Sequence, residues 1–407
     1  MDASSFAVID ESSLRYAGWR VVAICFLMAM FAWALGFYGQ SVFLAEMRRL
    51  HGWPASTISV ATTVFYLFSS MLVVFIGDAI RVLGVRWCLA AAVSCMALAV
   101  ALIGLVEAPW QLYGVYALMS FGWAGVTVGA ISNSIGLWFD RRRGLAISLA
   151  LNGASIGGVV GVPLLVKAID AFGFATALAA AAAMMAAVLL PVILLGMGHP
   201  PHHASMATGK AADVAIQSST QIRSRALRSL SFWTIALPFA MVLLAQIGFI
   251  VHQISFMEPI IGRERAGFAV SLMTVMAVTG RVGFGFLIDR VDQRSASAVL
   301  FISQALSLLA MIHDPGETTL FVASAVFGLT VGNAITLPSI IVHREFDGRA
   351  FGVVISLITA ITSVISACGA AMVGVLRDLS GSYAAPFYVC VGLEVAAAAG
   401  VLVRRRA

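Results

Sequence analysis

Long apolar segments, separated by short charged turns, constrain what this chain can fold into. Of its 407 residues, 61% are hydrophobic and only 11% are charged, and its mean hydropathy is +0.98. Soluble domains have about 25% charged residues, whereas a membrane-spanning helix needs about 20 consecutive apolar residues. Because the alternation typical of β-strands is absent, an outer-membrane barrel is excluded. The sequence therefore predicts an all-α membrane protein surrounded by a lipid bilayer.

Twelve segments are long and apolar enough to span a bilayer, in two groups of six. The first group covers approximately residues 18–45, 56–76, 87–107, 110–137, 144–166 and 174–197. The second group covers approximately residues 231–257, 266–288, 296–312, 318–341, 350–376 and 383–403. The predicted domains are therefore a tail (1–17), a six-helix half (18–197), a linker (198–230), a second six-helix half (231–403) and a tail (404–407). The polar linker is expected to carry a helix on the membrane surface.

The two groups of spans are related by an internal repeat. A shift of 208 residues places Arg141 on Arg349, Gly144 on Gly352 and Asp170 on Asp378, so the fifth span matches the eleventh. Two six-helix halves in parallel topology are the architecture of alternating-access carriers. The repeat therefore favours a carrier with its binding site between the halves.

Positive charge is distributed unequally over the two sides of the predicted bundle. Of the 25 Lys and Arg residues, 18 fall on the side of both termini and six on the other side. Cytoplasmic loops are enriched in these residues, so we expect both termini and the linker to be cytoplasmic in a bacterial-type inner membrane. Acidic residues in the first 17 positions argue against a signal peptide, so the first apolar segment is interpreted as a retained span. The net charge of +6 reflects loops rather than a nucleic-acid partner.

Motifs for enzymatic chemistry are missing from the sequence. Its five cysteines lie in apolar segments without CxxC or other metal-ligand spacing. It contains no P-loop, catalytic triad or HExxH motif. We therefore expect neither an enzyme nor an ATP-driven pump, and no cofactor, metal site or disulfide.

Arg281 is the most informative single residue. It lies in the eighth span, about 10 Å from the end of that helix at 1.5 Å per residue. An arginine at such a depth usually faces a cavity or a partner. Its guanidinium offers the bidentate fork that matches a carboxylate, which makes Arg281 the predicted substrate-binding residue. The alternative is a structural arginine that reaches the cytoplasmic surface or a backbone carbonyl.

A charged turn follows the eighth span, and a weaker copy follows the second. The later turn contains Gly285, Asp289, Arg290 and Arg294, and the earlier one contains Gly77, Arg81, Gly84 and Arg86. The pair resembles the Gly-x-x-x-Asp-Arg turns of the major facilitator superfamily along essentially the whole chain, which implies the major facilitator fold. In that family the acidic residue latches the cytoplasmic side of the outward-facing state. Here Arg81 replaces it in the first copy, which implies that this latch does not work in the usual way.

Further motifs resemble the branch of that superfamily that contains monocarboxylate porters and oxalate/formate antiporters. The segment WFDRRRGLAISLALNGASIGG (138–158), which includes Arg141 and Arg142, is similar to the start of its fifth span. That branch places a substrate-binding arginine in the eighth span, and Arg281 matches it. Two features depart from the pattern. Ala277 replaces the acidic residue of proton-coupled porters, and residues 350–376 lack the lysine of the antiporters.

Other polar residues within the spans are candidates for the same site. Asn152 lies at a depth similar to that of Arg281 and is expected to orient it or to bind the same anion. The resemblance implies that spans 1, 4, 7 and 10 line the cavity, which adds these candidates: Tyr38, Gln40, Asn133, Gln246, Gln253 and Asn333. For each of them the alternative is a hydrogen bond between helices without substrate contact.

The predicted function is transport of small organic anions, in particular monocarboxylates, by a monomeric carrier that rocks around Arg281. Uniport, proton symport and anion exchange remain open. Two other functions also remain: export of amphipathic compounds with Arg281 structural, and ligand sensing without transport.

Overall fold

In the computed structural model, the described residues form a bundle of helices without a β-strand. The structure describes Glu11, Ser13 and residues 16–198, 221–287, 290–346 and 348–403. Within these ranges, twelve helices are long and apolar enough to cross a membrane.

The twelve helices form two six-helix halves. The first half contains α1 (Gly18–His51), α2 (Ala55–Val73), α3 (Val85–Ile103), α4 (Pro109–Gly136), α5 (Arg143–Phe172) and α6 (Phe174–Gly196). The second half contains α7 (Leu230–Ile261), α8 (Arg263–Leu287), α9 (Gln293–His313), α10 (Glu317–Glu345), α11 (Ala350–Ser380) and α12 (Ala384–Leu402). The predicted all-α fold with twelve spans in two halves is confirmed. Several helices run about one turn longer than predicted, because polar turns such as the last one of α1 lie outside the apolar window.

Small residues let neighbouring helices approach closely. A Cβ atom on Gly157 of α5 would lie 2.2 Å from the carbonyl oxygen of Met30 on α1, so no other residue fits there. The same holds for Gly280 of α8, where a Cβ would lie 2.1 Å from the carbonyl oxygen of Leu329 on α10. Close backbone contact of this kind drives helix association in lipid, where apolar burial contributes little.

Helices next to the junction of the two halves are interrupted. In α1 the segment Trp33–Tyr38 is π-helical, and so is Gly157–Gly161 in α5, and these two segments contact each other. In α4 the chain is extended at Thr127. Interruptions of this type are frequent at functional sites because they redirect side chains.

The two ends of the bundle are called the terminal end and the opposite end. The terminal end is where α1 begins and α12 ends, and the opposite end is where α1 ends and α12 begins. A short helix, Ile76–Leu83, follows α2 at the terminal end. Residues 221–227 of the predicted linker form another, and its Ala226 is buried in the core of the second half.

Candidate substrate site at the seam between the halves

Arg281 lies near the terminal end of α8 and is partly buried. Its guanidinium packs against Gly332 of α10, where a Cβ atom would lie 2.9 Å from Nε and 3.2 Å from Nη2. The Nε atom is buried and has no hydrogen-bond partner. No ion pair joins Arg281 to a carboxylate in the part of the chain that the structure describes. The arginine is therefore held in place by packing, with hydrogen-bonding capacity to spare.

Tyr38 of α1 faces Arg281 across the seam, the surface along which the two halves meet. Its side chain lies beside Thr274 of α8, and its hydroxyl is in electrostatic range of Arg281. The Tyr38 ring and the Thr274 side chain both pack onto Gly158 of α5, where a Cβ would lie 2.7 Å from each. The π-helical turns of α1 and α5 supply this contact. Arg281 and Tyr38 thus form a polar pair built from both halves.

Asn152 is exposed on α5. It lines a cavity of about 450 Å³ between α1 and α5, together with Trp19, Phe26 and Leu149. No hydrogen bond between Asn152 and Arg281 is present among the described residues. Contact between them stays a prediction.

Three predicted glutamines lie inside the halves and are fully buried. Gln40 accepts a hydrogen bond of 2.7 Å from the Tyr116 hydroxyl. Gln246 accepts one of 3.3 Å from Gln304, and Gln253 is within 3.5 Å of Ser324. Buried amides need such partners, which the same half supplies. These bonds fit the helix–helix alternative, and contact of the glutamines with substrate stays a prediction.

The other two predicted asparagines differ in position. Asn333 is buried beside Gly332 and donates to the carbonyl oxygen of Leu329 at 3.0 Å, so it lies next to the packing contact of Arg281. Asn133 is exposed on α4, with its amide nitrogen 4.0 Å from the Cβ position of Gly77. Only Asn333 is therefore near the arginine.

The charged turns lie at the terminal end. Arg81 pairs with Asp78 at 3.0 Å in solvent, while Arg86 donates to the carbonyl oxygen of Met197 at 2.8 Å. In the second half, Arg294 binds Glu345 through two hydrogen bonds. Gly84 has a positive φ of +80° at the junction between two helices. Gly285 and Arg290 are exposed, and Asp289 lies outside the described residues.

Glu11 makes a contact that the sequence did not indicate. Its carboxylate accepts hydrogen bonds from the backbone N–H groups of Asp140 (2.8 Å), Arg141 (3.3 Å) and Arg142 (2.8 Å). It therefore fastens the N-terminal segment to the loop before α5. The predicted motif arginines contribute their backbone to this contact.

Charged residues close the seam at the opposite end. Glu46 of α1 is fully buried and pairs with Arg263, the first residue of α8. Arg263 also binds Asp170 of α5 at 2.9 Å. A buried carboxylate needs such partners, and here Arg263 comes from the other half while Arg49 of α1 binds the same carboxylate at 2.9 Å. No sequence pattern singles out Glu46, because it falls in the last turns of an extended α1.

A second polar chain crosses the seam nearby. The Nε2 atom of His252 is 3.1 Å from the carbonyl oxygen of Ala370, so it carries the proton, and Nδ1 faces the Tyr383 hydroxyl at 3.3 Å. Arg48 of α1 lies 3.4 Å from the same hydroxyl. Burial raises the pKa of the Tyr383 phenol, which therefore stays a neutral donor at physiological pH.

The terminal end of the seam is open by comparison. The hydrogen bonds and ion pairs found between described residues of the two halves lie towards the opposite end, whereas Gly144, Gly283 and Gly352, near the terminal end, have open space around their Cβ positions. The leucines of α5 in this region are half exposed. The Arg281–Tyr38 pair therefore lies between a closed end and an open end.

Twelve spans in two halves, closed together at one end and open at the other, define a multi-pass membrane transport protein. The chain belongs to the Major Facilitator Superfamily, whose family profile matches residues 22–313. Members of this family are transporters rather than enzymes, as the sequence analysis expected.

Relatives agree with this assignment. The chain is 24% identical over 350 residues to the uncharacterized MFS-type transporter YcxA of Bacillus subtilis (strain 168), covering 83% of each protein. It is 27% identical over 294 residues to monocarboxylate transporter 13 of Rattus norvegicus, covering 70% of this chain and 65% of that protein. The predicted resemblance to a monocarboxylate-transporting branch therefore has support in a distant relative.

Solved structures share the fold. A mutant of the nucleoside transporter NupG superposes with a TM-score of 0.78 at 13% identity, covering 95% of this chain and 99% of that one. A bacterial homologue of the human lysosomal transporter Spinster, in an inward-facing and unoccupied conformation, gives 0.72 at 14% identity, with 96% and 95% covered. At these identities the likeness shows the fold alone.

Proposed function

We propose that this protein transports small organic anions, in particular monocarboxylates, and that Arg281 binds the substrate carboxylate. The observation that carries the proposal is the buried Nε of Arg281, which has no partner and lies at the seam. A buried donor without a hydrogen bond costs roughly 1–3 kcal/mol, and more when it is charged. A carboxylate bound by the guanidinium fork would remove that cost.

The surroundings of Arg281 favour an anion over a cation or a neutral sugar. Across the seam lies the Tyr38 hydroxyl, a donor that can bond to the same carboxylate. Apolar side chains of α1, such as Phe26 and Leu27, line the cavity that Asn152 also lines, and they suit the carbon chain of a small acid. The monocarboxylate transporters among the relatives support this substrate class.

The carrier works by alternating access in this proposal. The terminal end, where the excess of Lys and Arg lies, is cytoplasmic in an inner membrane. The conformation described above is then inward-facing. Substrate entering from that side neutralises Arg281 and lowers the cost of closing the cavity over it. Departure of the anion restores an uncompensated charge that favours reopening.

The same residues are compatible with more than one mode of coupling. Ala277 lies one turn before Arg281, so the arginine has no acidic neighbour there to carry a proton. Exchange of one anion for another, uniport, and symport of a proton with the substrate all fit a site with one positive group.

The test is uptake of labelled small carboxylates into proteoliposomes that contain wild type, Arg281→Gln or Arg265→Gln. Arg265 lies on the same helix but is exposed and pairs with Glu317 at the opposite end, so it is the matched control. We expect Arg281→Gln to reduce uptake roughly a hundredfold, as loss of charged hydrogen bonds predicts, and Arg265→Gln to leave it within about twofold.

Equal uptake by wild type and Arg281→Gln would make the arginine structural. Absence of uptake for every acid tested would favour an exporter of amphipathic compounds or a sensor. Repeating the best substrate with an imposed pH gradient, and with a second acid inside the vesicles, separates proton symport from exchange and uniport.

A further inference from the structure

The segment that leads into α7 carries positive charge and no negative charge. Residues 221–233 contain Arg223, Arg225 and Arg228 but neither Asp nor Glu. All three arginines are exposed at the terminal end of the bundle. Within the part of the chain that the structure describes, no hydrogen bond or ion pair engages the side chain of Arg225 or Arg228. Their guanidinium donors are therefore available to a ligand.

Two adjoining depressions, together called the recess below, lie beside these arginines. One, of about 820 Å³, is lined by Gln221, Ser224, Arg225, Arg228, Ser229 and Leu230. The other, of about 320 Å³, separates the short helix 221–227 from the end of α10 and the start of α11. Arg225 and Ser229 line both depressions. The recess is therefore enclosed by several elements of the second half and is not a flat surface.

The recess is positively charged on balance. Among the described residues its one acidic side chain is Glu345, and Arg294 already binds both oxygens of that carboxylate. Arg225 and Arg228 are thus left without a competing carboxylate. Guanidinium groups bind phosphate oxygens through paired charge-assisted hydrogen bonds, and serine hydroxyls in the same recess supply further donors. The arrangement favours an anion with phosphate chemistry.

Apolar side chains beside the arginines favour a lipid over a soluble phosphate. Leu227, Leu230 and Trp233 of the same segment are all exposed. The indole Nε1 of Trp233 donates to the carbonyl oxygen of Leu227 at 2.8 Å, which fixes the ring where the short helix joins α7. Tryptophan at the start of a span is typical of the membrane–water interface, where its ring lies at the level of the lipid headgroups. The arginines therefore lie at headgroup depth, with leucines beside them to contact acyl chains.

We propose that the recess binds the headgroup of an anionic glycerophospholipid, with Arg225 and Arg228 on its phosphate. In the orientation proposed above, the terminal end faces the cytoplasmic leaflet, whose anionic lipids attract basic segments next to a span. The bound headgroup lies between the short helix 221–227 and the start of α11. The recess shares no residue with the candidate substrate site, so failure of the carboxylate proposal leaves this one standing.

Native mass spectrometry of the full chain, released from detergent and titrated with dioleoyl phosphatidylglycerol at physiological ionic strength, tests the proposal. The readout is the apparent dissociation constant of the first bound lipid in wild type, Arg225→Gln, Arg228→Gln and the double variant. Loss of one charge-assisted contact should weaken binding about tenfold, and loss of both about a hundredfold. Because both arginines are exposed and make no contact to other described side chains, all variants should unfold at the wild-type temperature in lipid-free detergent.

Arg223→Gln is the matched control, because Arg223 is exposed on the same helix but lines neither depression. Salt screens an arginine that does not touch the lipid, so binding should stay within about twofold of wild type. Weakening equal to that of Arg225→Gln would mean unspecific attraction and would overturn the proposal, as would equal wild-type affinity for phosphatidylcholine, whose headgroup has no net charge. Glycerol 3-phosphate at millimolar concentration should not displace the lipid. Displacement would identify a soluble phosphate ester as the ligand and overturn the assignment to a lipid.

Discussion

The charged turn of the first half and that of the second half begin from matching sequence and reach different structures. The 208-residue shift places Gly77 on Gly285 and Arg86 on Arg294. Both arginines donate to a backbone carbonyl near the end of the last helix of their own half, Arg86 to Met197 and Arg294 to Val401, at 2.8 Å in each case. To this extent the repeat is preserved in three dimensions.

The difference lies in burial and in the carboxylate partner. Arg294 is 2% exposed and its guanidinium is held by Glu345 through bonds of 2.6 and 2.7 Å. In the first half the ion pair of the turn joins Asp78 and Arg81, and both side chains are more than half exposed. The second turn is thus a clamp, in which a buried arginine holds helices of its own half together. The ion pair of the first turn is exposed to solvent. The shared motif places the arginine of each turn at an equivalent position. Residues outside the motif determine how strongly that arginine stabilises its own half.

Removing the buried arginine should produce the largest effect. Arg294→Gln leaves Glu345 without its partner and three helix ends, those of α7, α10 and α12, without a common donor. Breaking a buried pair from one side costs about 3 kcal/mol. We expect a clearly lower midpoint of thermal unfolding in detergent, followed by tryptophan fluorescence.

Arg290→Gln provides the matched control, because Arg290 is exposed in the same turn. It should unfold at nearly the wild-type temperature. An Arg294→Gln protein as stable as this control would show that the second turn is no clamp, and the contrast between the halves would disappear.

The equivalent change in the first half should cost less. Arg86 is partly exposed, and its two bonds go to one carbonyl oxygen, that of Met197, rather than to a carboxylate. Loss of this bond in Arg86→Gln is expected to cost about 1 kcal/mol. Thermal unfolding in detergent measures this loss of stability. A loss as large as that of Arg294→Gln would mean that burial does not cause the difference between the two turns.

The sequence predicted the architecture well because the apolar periodicity of each span is local. Hydrophobic length located all twelve helices, and the 208-residue shift indicated which ends are equivalent, including Asp170 and Asp378. It could not indicate their partners, since these lie on the other half. For the same reason Glu345, which is 51 residues from Arg294, and the deeply buried Glu46 were missed.

The candidate site was predictable only in part. Depth within a span selected Arg281, and the resemblance, which implies that the first span lines the cavity, added Tyr38 across the seam. Depth does not determine which way a side chain points around the helix. Gln40, Gln246 and Gln253 therefore have suitable depth but point into the packing of their own halves.

The smallest expected effect concerns the exposed pair of the first turn and separates stability from conformational control. Solvent screens the 3.0 Å pair of Asp78 with Arg81, so Asp78→Asn should change the unfolding free energy by no more than about 0.5 kcal/mol. If the pair has no partner in the other half in any conformation, uptake into proteoliposomes should also stay at the wild-type level. Unchanged stability with reduced uptake would instead mean that Asp78 substitutes for the missing acidic residue at position 81 when the terminal end closes. The first turn would then be the moving part and the second turn the fixed clamp.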